Sequence, residues 1–126
     1  MTKVVGVVKG EAKGLYVDLR PDSPTFGVII TIPLDPGKLV VVPVGVGNAY
    51  FTADGCAYFY AMDRRWVVDM PSKKARLTSP LLADHLVGGE CDYAMSDADR
   101  AWHPDLGELL RVTAQDYADN GEVWYR

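Results

Sequence analysis

Histidine and cysteine are scarce in this chain: His85 and His103, Cys56 and Cys91, all far apart in sequence. No His-x-His pair occurs, so the paired-histidine arrangement that holds a metal ion on one strand is missing and no metal site is expected. Two distant cysteines make neither a zinc spacing nor a disulfide framework, and both read as buried free thiols. Basic residues are outnumbered, with 13 Lys and Arg against 17 Asp and Glu and a net charge of -4. That balance argues against nonspecific nucleic-acid binding, which needs a basic surface. No apolar run is long enough to span a membrane. The start, Met1-Thr2-Lys3, lacks the charged-then-apolar layout of a signal peptide, so a cytoplasmic location is expected. Gly-x-Gly-x-x-Gly, P-loop and nucleophile-elbow motifs are absent, as are internal repeats and low-complexity segments.

What the chain does have is short strands. Its 126 residues suit one domain, with 48% hydrophobic residues. Lys3 to Val8 is a β-branched run closed by a turn around Gly10 and Gly14. Leu15–Leu19, Thr25–Leu34, Leu39–Val42, Asn48–Thr52 and Cys56–Met62 follow, separated by Pro, Gly and the tight-turn pair Asp54-Gly55. Helical periodicity is nearly absent from this part, which points to an all-β sandwich or barrel. After Trp66 the texture changes. Pro80-Leu81-Leu82-Ala83 suits a helical turn, and Ser96-Asp97-Ala98-Asp99 suits a helix start. Pro104 to Tyr117 carries Leu106, Leu109, Leu110 and Val112 at helical spacing, with Pro104 near a first turn. The expected layout is a single domain over 1–126, with a β body from about 3 to 79 and a helical or irregular tail from about 80 to 126.

The stretch Val17-Asp18-Leu19-Arg20-Pro21-Asp22-Ser23-Pro24-Thr25-Phe26-Gly27 reads as strand, shaped corner, strand. Neither proline can donate a ladder hydrogen bond, so both belong at an edge or in a loop. As a pattern, V-D-L-R-x-x-S-P-T-F-G resembles the signature of the dTDP-4-dehydrorhamnose 3,5-epimerase family, the RmlC-like cupins. Lys3 to Gly10 is similar to that family's K-L-V-R-V-V-R-G strand. Val42 to Tyr50 is similar to its V-P-E-G-F-A-H-G-F entry, and Ser96 to Leu106 to its S-E-K-D…P-x-L segment. The resemblance covers about Lys3 to Leu106. It implies an RmlC-like cupin jelly roll, a double-stranded β-helix of two antiparallel sheets over a pocket, with a short C-terminal helical tail.

The same resemblance implies an isomerase of deoxysugar biosynthesis that acts on a dTDP-4-keto-6-deoxyhexose. It needs no cofactor, because the ketone itself acidifies the neighbouring C–H bonds. The family's acid is a tyrosine, and Tyr60 falls at its place if the Asp54-Gly55 turn is one residue shorter. A second family tyrosine six positions on corresponds to Trp66, and a pocket lysine corresponds to Lys3. Strand alternation places Tyr58 with Tyr60, and Asn48 with Tyr50, so the implied ligand-binding set is Lys3, Asn48, Tyr50, Tyr58 and Trp66. The departures are equally specific. The histidine base of the family's R-G-L-H segment, which lies ahead of the Lys3 strand, has no counterpart. Serine, in Thr78-Ser79-Pro80, stands where an aspartate orients that base. Asn48 replaces a histidine and Gly14 an aspartate. These losses imply impaired or altered catalysis, or a non-catalytic binding module for a sugar nucleotide or other small metabolite. The expected partners are a sugar nucleotide and a second copy of the chain, since a sheet without the strand-exchanging segment exposes an edge. No nucleic acid or membrane partner is expected. His85 and His103 read as surface groups, and Asp97, Asp99 and Asp105 as helix caps rather than ligands.

Overall fold

The fold turns on the strand Ala12–Asp18, which has apolar residues on both of its faces. The computed structural model describes residues 1–52, 55–65, 72–85 and 102–125. Its strands are β1 (Lys3–Lys9), β2 (Ala12–Asp18), β3 (Ile29–Leu34), β4 (Leu39–Val42), β5 (Val46–Thr52) and β6 (Ala57–Met62). They form two antiparallel three-stranded sheets, ordered β4-β1-β6 and β3-β2-β5. A 3-10 turn at Pro80–His85 and helix α1 (Leu106–Asn120) complete the described elements. The expected all-β jelly roll with a C-terminal helix is what is seen, and it is consistent with the RmlC-like cupin fold.

Two cores lie on opposite faces of β2. Leu15 and Leu19 pack with Phe51, Leu82, Leu106 and Leu109, which ties the helical layer to the outer face of its sheet. Tyr16 points the other way and packs with Val5 and Val42, flanked by Ile32, Val40, Val46 and Tyr58, which joins the two sheets. Burying each leucine is worth about 1.5–3 kcal/mol, so the amphipathic helix is held by its face rather than by its propensity.

Helix α1 begins two residues after Pro104. The side chain of Asp105 caps it, accepting from the Gly107 and Glu108 backbone N–H groups at 2.8 and 3.3 Å. Asp105 is therefore the cap the sequence suggests, while Pro104 stands outside the first turn. Gly121 closes the helix at a φ of 69°. The second possible helix start, at Ser96-Asp97-Ala98-Asp99, lies outside the described residues, as does Cys91.

Several strand starts differ from the pattern: β2 starts at Ala12 rather than Leu15, so Gly14 lies inside the strand and not in the turn, and β5 starts at Val46 rather than Asn48. The run expected from Thr25 starts only at Ile29, because Asp18 draws residues 20–25 into a corner. Its carboxylate accepts from the Arg20 backbone N–H (3.0 Å), Arg20 Nε (2.9 Å) and Nη2 (3.1 Å), Ser23 Oγ (2.6 Å) and Thr25 Oγ1 (2.5 Å). Pro33 lies inside β3 instead of ending it, which an edge strand tolerates because its outward side needs no donor. The chain's end returns to this corner. Trp124 Nε1 donates to the Leu19 carbonyl at 2.7 Å, and the Tyr125 hydroxyl bonds the Asp22 carboxylate.

Candidate functional site

The site is assembled where the facing sheets meet. Residues opposite each other in an antiparallel pair share a face, so register decides which side chains point inward. On β5, Asn48 lies opposite Tyr16 and Tyr50 opposite Gly14, which puts all four on the inner face of their sheet. On β6, Tyr58 lies opposite Val7 and Tyr60 opposite Val5, and Val5 and Val7 are core residues. Lys3 alternates with Val5 and Val7 along β1 and so also faces inward.

Four of the expected residues come together. Lys3 Nζ donates to Asn48 Oδ1 at 3.4 Å, bridging the two sheets. The rings of Tyr50 and Tyr58 stack across the same gap, with centroids 3.8 Å apart and an interplanar angle of 12°. Asn48 thus faces the interior, with the Lys3 ammonium as its partner. Tyr60 stands on the same face of β6 but is 61% exposed, away from the buried end of the group. Trp66 lies outside the described residues. Among the described residues no group of three or more His, Cys, Asp or Glu side chains is placed to hold a metal ion, and no helix is long and apolar enough to cross a membrane.

Burial pushes the Tyr58 hydroxyl well above the ordinary phenol pKa, and the neighbouring phenols of Tyr16 and Tyr50 push it the same way. Asn48 pulls in the opposite direction, yet its carboxamide and the Tyr58 hydroxyl do not reach hydrogen-bond geometry. Tyr16 is raised by burial as well. At neutral pH both groups are therefore neutral phenols, able to donate a hydrogen bond and unable to act as bases. Asp18 behaves in the opposite sense. Burial alone raises its pKa, but the bonds from Arg20, Ser23 and Thr25 outweigh burial and hold it well below the usual carboxylate range. At neutral pH it is an anion that shapes the corner beside β2.

Ser79 has a structural task. Its hydroxyl accepts from the Leu106 backbone N–H at 2.8 Å and donates to the Arg76 carbonyl at 2.5 Å, fully buried under the start of α1. The residue that sequence reasoning missed is Tyr16. Its ring folds back over Gly14, and a Cβ on that glycine would lie 2.3 Å from the Tyr16 hydroxyl oxygen. The signal was present as a glycine two places before an aromatic residue, which puts both on one strand face.

Two facing antiparallel three-stranded sheets, with aromatic rings, an amide and an ammonium gathered between them, are consistent with a barrel of the cupin class. The family model of dTDP-4-dehydrorhamnose 3,5-epimerase matches residues 1–106, and the chain belongs to that family. No curated protein matches closely enough to stand as a relative.

Proposed function

We propose that this protein binds a dTDP-linked 4-keto-6-deoxyhexose between its two sheets and that its catalysis is altered relative to the family's 3,5-epimerisation. The observation that carries the reading is the convergence of Lys3, Asn48, Tyr50 and Tyr58 from both sheets onto one inward-facing group. The stacked rings offer a planar surface to a base or a sugar, and Lys3 supplies a cation. In a competent site, removal of a proton beside the ketone gives an enolate, and a phenol re-protonates it. We assign that acid role to Tyr60, on the exposed side of the group. The alteration is argued from Asn48, Gly14 and Ser79, which stand where the family pattern has one histidine and two aspartates. Ser79 is committed to the start of α1.

The second reading, a binding module without chemistry, is favoured by the engagement of Asn48 with Lys3 and by the neutrality of the buried phenols. Calorimetric titration with dTDP-4-keto-6-deoxyglucose, followed by NMR of deuterium uptake into the bound sugar in D2O, separates the readings. Exchange that is lost in Tyr60→Phe supports altered catalysis, binding without exchange supports the module, and absence of binding rejects both.

We further propose a homodimer. The outer face of the β4-β1-β6 sheet presents Val4, Leu39, Val41, Phe59 and Ala61 around Gly6, without a charged side chain among them. Leu39 and Val41 are 65% and 64% exposed. An apolar face whose one charge in the strand register is Lys9, at its end opposite Ala57, suits an identical copy. Light scattering at micromolar concentration should give twice the chain mass, and Val41→Lys should return it to the monomer mass. A wild-type monomer would reject the proposal.

A further inference from the structure

Tyr16 belongs to none of the positions that the family pattern marks, yet it is the most committed polar group between the sheets. It is 4% exposed, and its hydroxyl has no hydrogen-bond partner. A buried hydroxyl left unpaired is unfavourable, and phenylalanine would fill the same space without that cost. The position of the oxygen is set by the chain itself. Only glycine at 14 leaves room for it, because any Cβ there would force the ring away. Tyr58 repeats the pattern, with a second buried hydroxyl that lacks a partner.

The polar groups around these two hydroxyls are nearly all donors. Lys3 has only N–H groups, and the oxygen of Asn48 accepts from Lys3 on one of its two lone pairs. What remains open is a pair of O–H donors and the Asn48 N–H2 group, with one ammonium nearby. Each phenol oxygen can also accept, but an oxygen with two lone pairs and no hydrogen takes both O–H groups at once.

We propose that the Tyr16 and Tyr58 hydroxyls are the donor pair that holds the keto oxygen of the bound sugar, with Gly14 as the residue that makes room for Tyr16. This rests on the sugar-nucleotide reading for the identity of the ligand. Tyr16 is then a specificity residue that favours a carbonyl over a hydroxyl. A carbonyl accepts from both phenols at once, whereas a C4 hydroxyl uses one of its bonds to donate to a phenol oxygen. Both phenols are kept protonated by burial, so the preference holds across the neutral range.

The test compares wild type with Tyr16→Phe and Gly14→Ala, using dTDP-4-keto-6-deoxyglucose and dTDP-glucose as probes. Tyr16→Phe should weaken binding of the keto probe roughly 10-fold, the loss of about one hydrogen bond, while affinity for dTDP-glucose changes less than about threefold. Gly14→Ala should shift the keto-to-hydroxyl preference in the same direction, since it displaces the Tyr16 ring. Without ligand, Tyr16→Phe should melt at the same temperature as wild type or up to about 3 °C higher, because it removes an unpaired hydroxyl. Unchanged affinity and preference in Tyr16→Phe would overturn the proposal. So would a fall in its ligand-free melting temperature, which would mean that a structural partner such as an internal water satisfies the hydroxyl. If wild type binds neither probe, the sugar reading fails by itself. The ligand-free melting comparison then still decides whether Tyr16 is an open donor or a satisfied structural group.

Discussion

Replacing Asp18 with asparagine should unfold the corner from which β2 and β3 are set. Asp18 is 6% exposed and accepts five donors, three of them on Oδ2: Arg20 Nη2, Ser23 Oγ and Thr25 Oγ1. Asparagine keeps one acceptor oxygen and turns the other position into a donor. The two hydroxyls can rotate to accept from it, but the guanidinium cannot. Arg20 is left with a neutral partner, its side chain 29% exposed against 7% for Asp18. Hydrogen bonds to charged groups are worth about 1.5–3 kcal/mol, and removing one partner of a buried pair costs about 3–5 kcal/mol. Part of the hydroxyl loss is recovered, and Arg20 reaches water, so the expected cost is about 3 kcal/mol, or about 10 °C in melting temperature for a chain of this size. The pH dependence is an independent check. The folded pKa of Asp18 lies below its unfolded value, so the contribution is fully present above about pH 4 and is lost as pH falls below it towards the folded value. Thermal melts of wild type and Asp18→Asn between pH 2 and 8 should therefore differ most above about pH 5 and converge on the acid side. A cost under about 1 kcal/mol, or a constant difference across the range, would refute the idea that the carboxylate organises the corner.

Three more outcomes follow from the same structure. Ser79→Ala should cost about 1–3 kcal/mol by leaving the Leu106 N–H unpaired, with ligand affinity unchanged; a loss of affinity at constant stability would return Ser79 to the site. Tyr60→Phe should reduce any epimerase or proton-exchange turnover by roughly 10²–10⁴-fold with the melting temperature preserved, and equal rates would remove it from the mechanism. Affinity for a sugar nucleotide should stay level between about pH 5 and 8, because Lys3, Tyr16, Asn48, Tyr50 and Tyr58 include no histidine; an inflection within that range would show that a histidine reaches the site.

Much of the fold was legible in the sequence because it rests on local chemistry. Period-two apolar runs broken by Gly and Pro mark strands wherever they occur, and the capping of α1 by Asp105 needs only a carboxylate ahead of a leucine-spaced stretch. Alternation along β5 and β6 also sorted Asn48 with Tyr50 and Tyr58 with Tyr60. The register between strands was not legible, because it depends on which distant segments pair. Only pairing sets Tyr16 opposite Asn48 and brings the Tyr50 ring onto that of Tyr58. The corner shows the same limit. Thr25 to Val28 has strand composition, yet the Asp18 carboxylate takes the Thr25 hydroxyl and the strand starts late. Lys3, near a chain end, reads as a solvated cation until a second sheet places Asn48 against it. Tyr16 is the clearest case. Its sequence context is that of an ordinary core aromatic, and only the packed sandwich leaves its buried hydroxyl without a protein partner. Burial belongs to the assembled sheets, and a single strand cannot carry it.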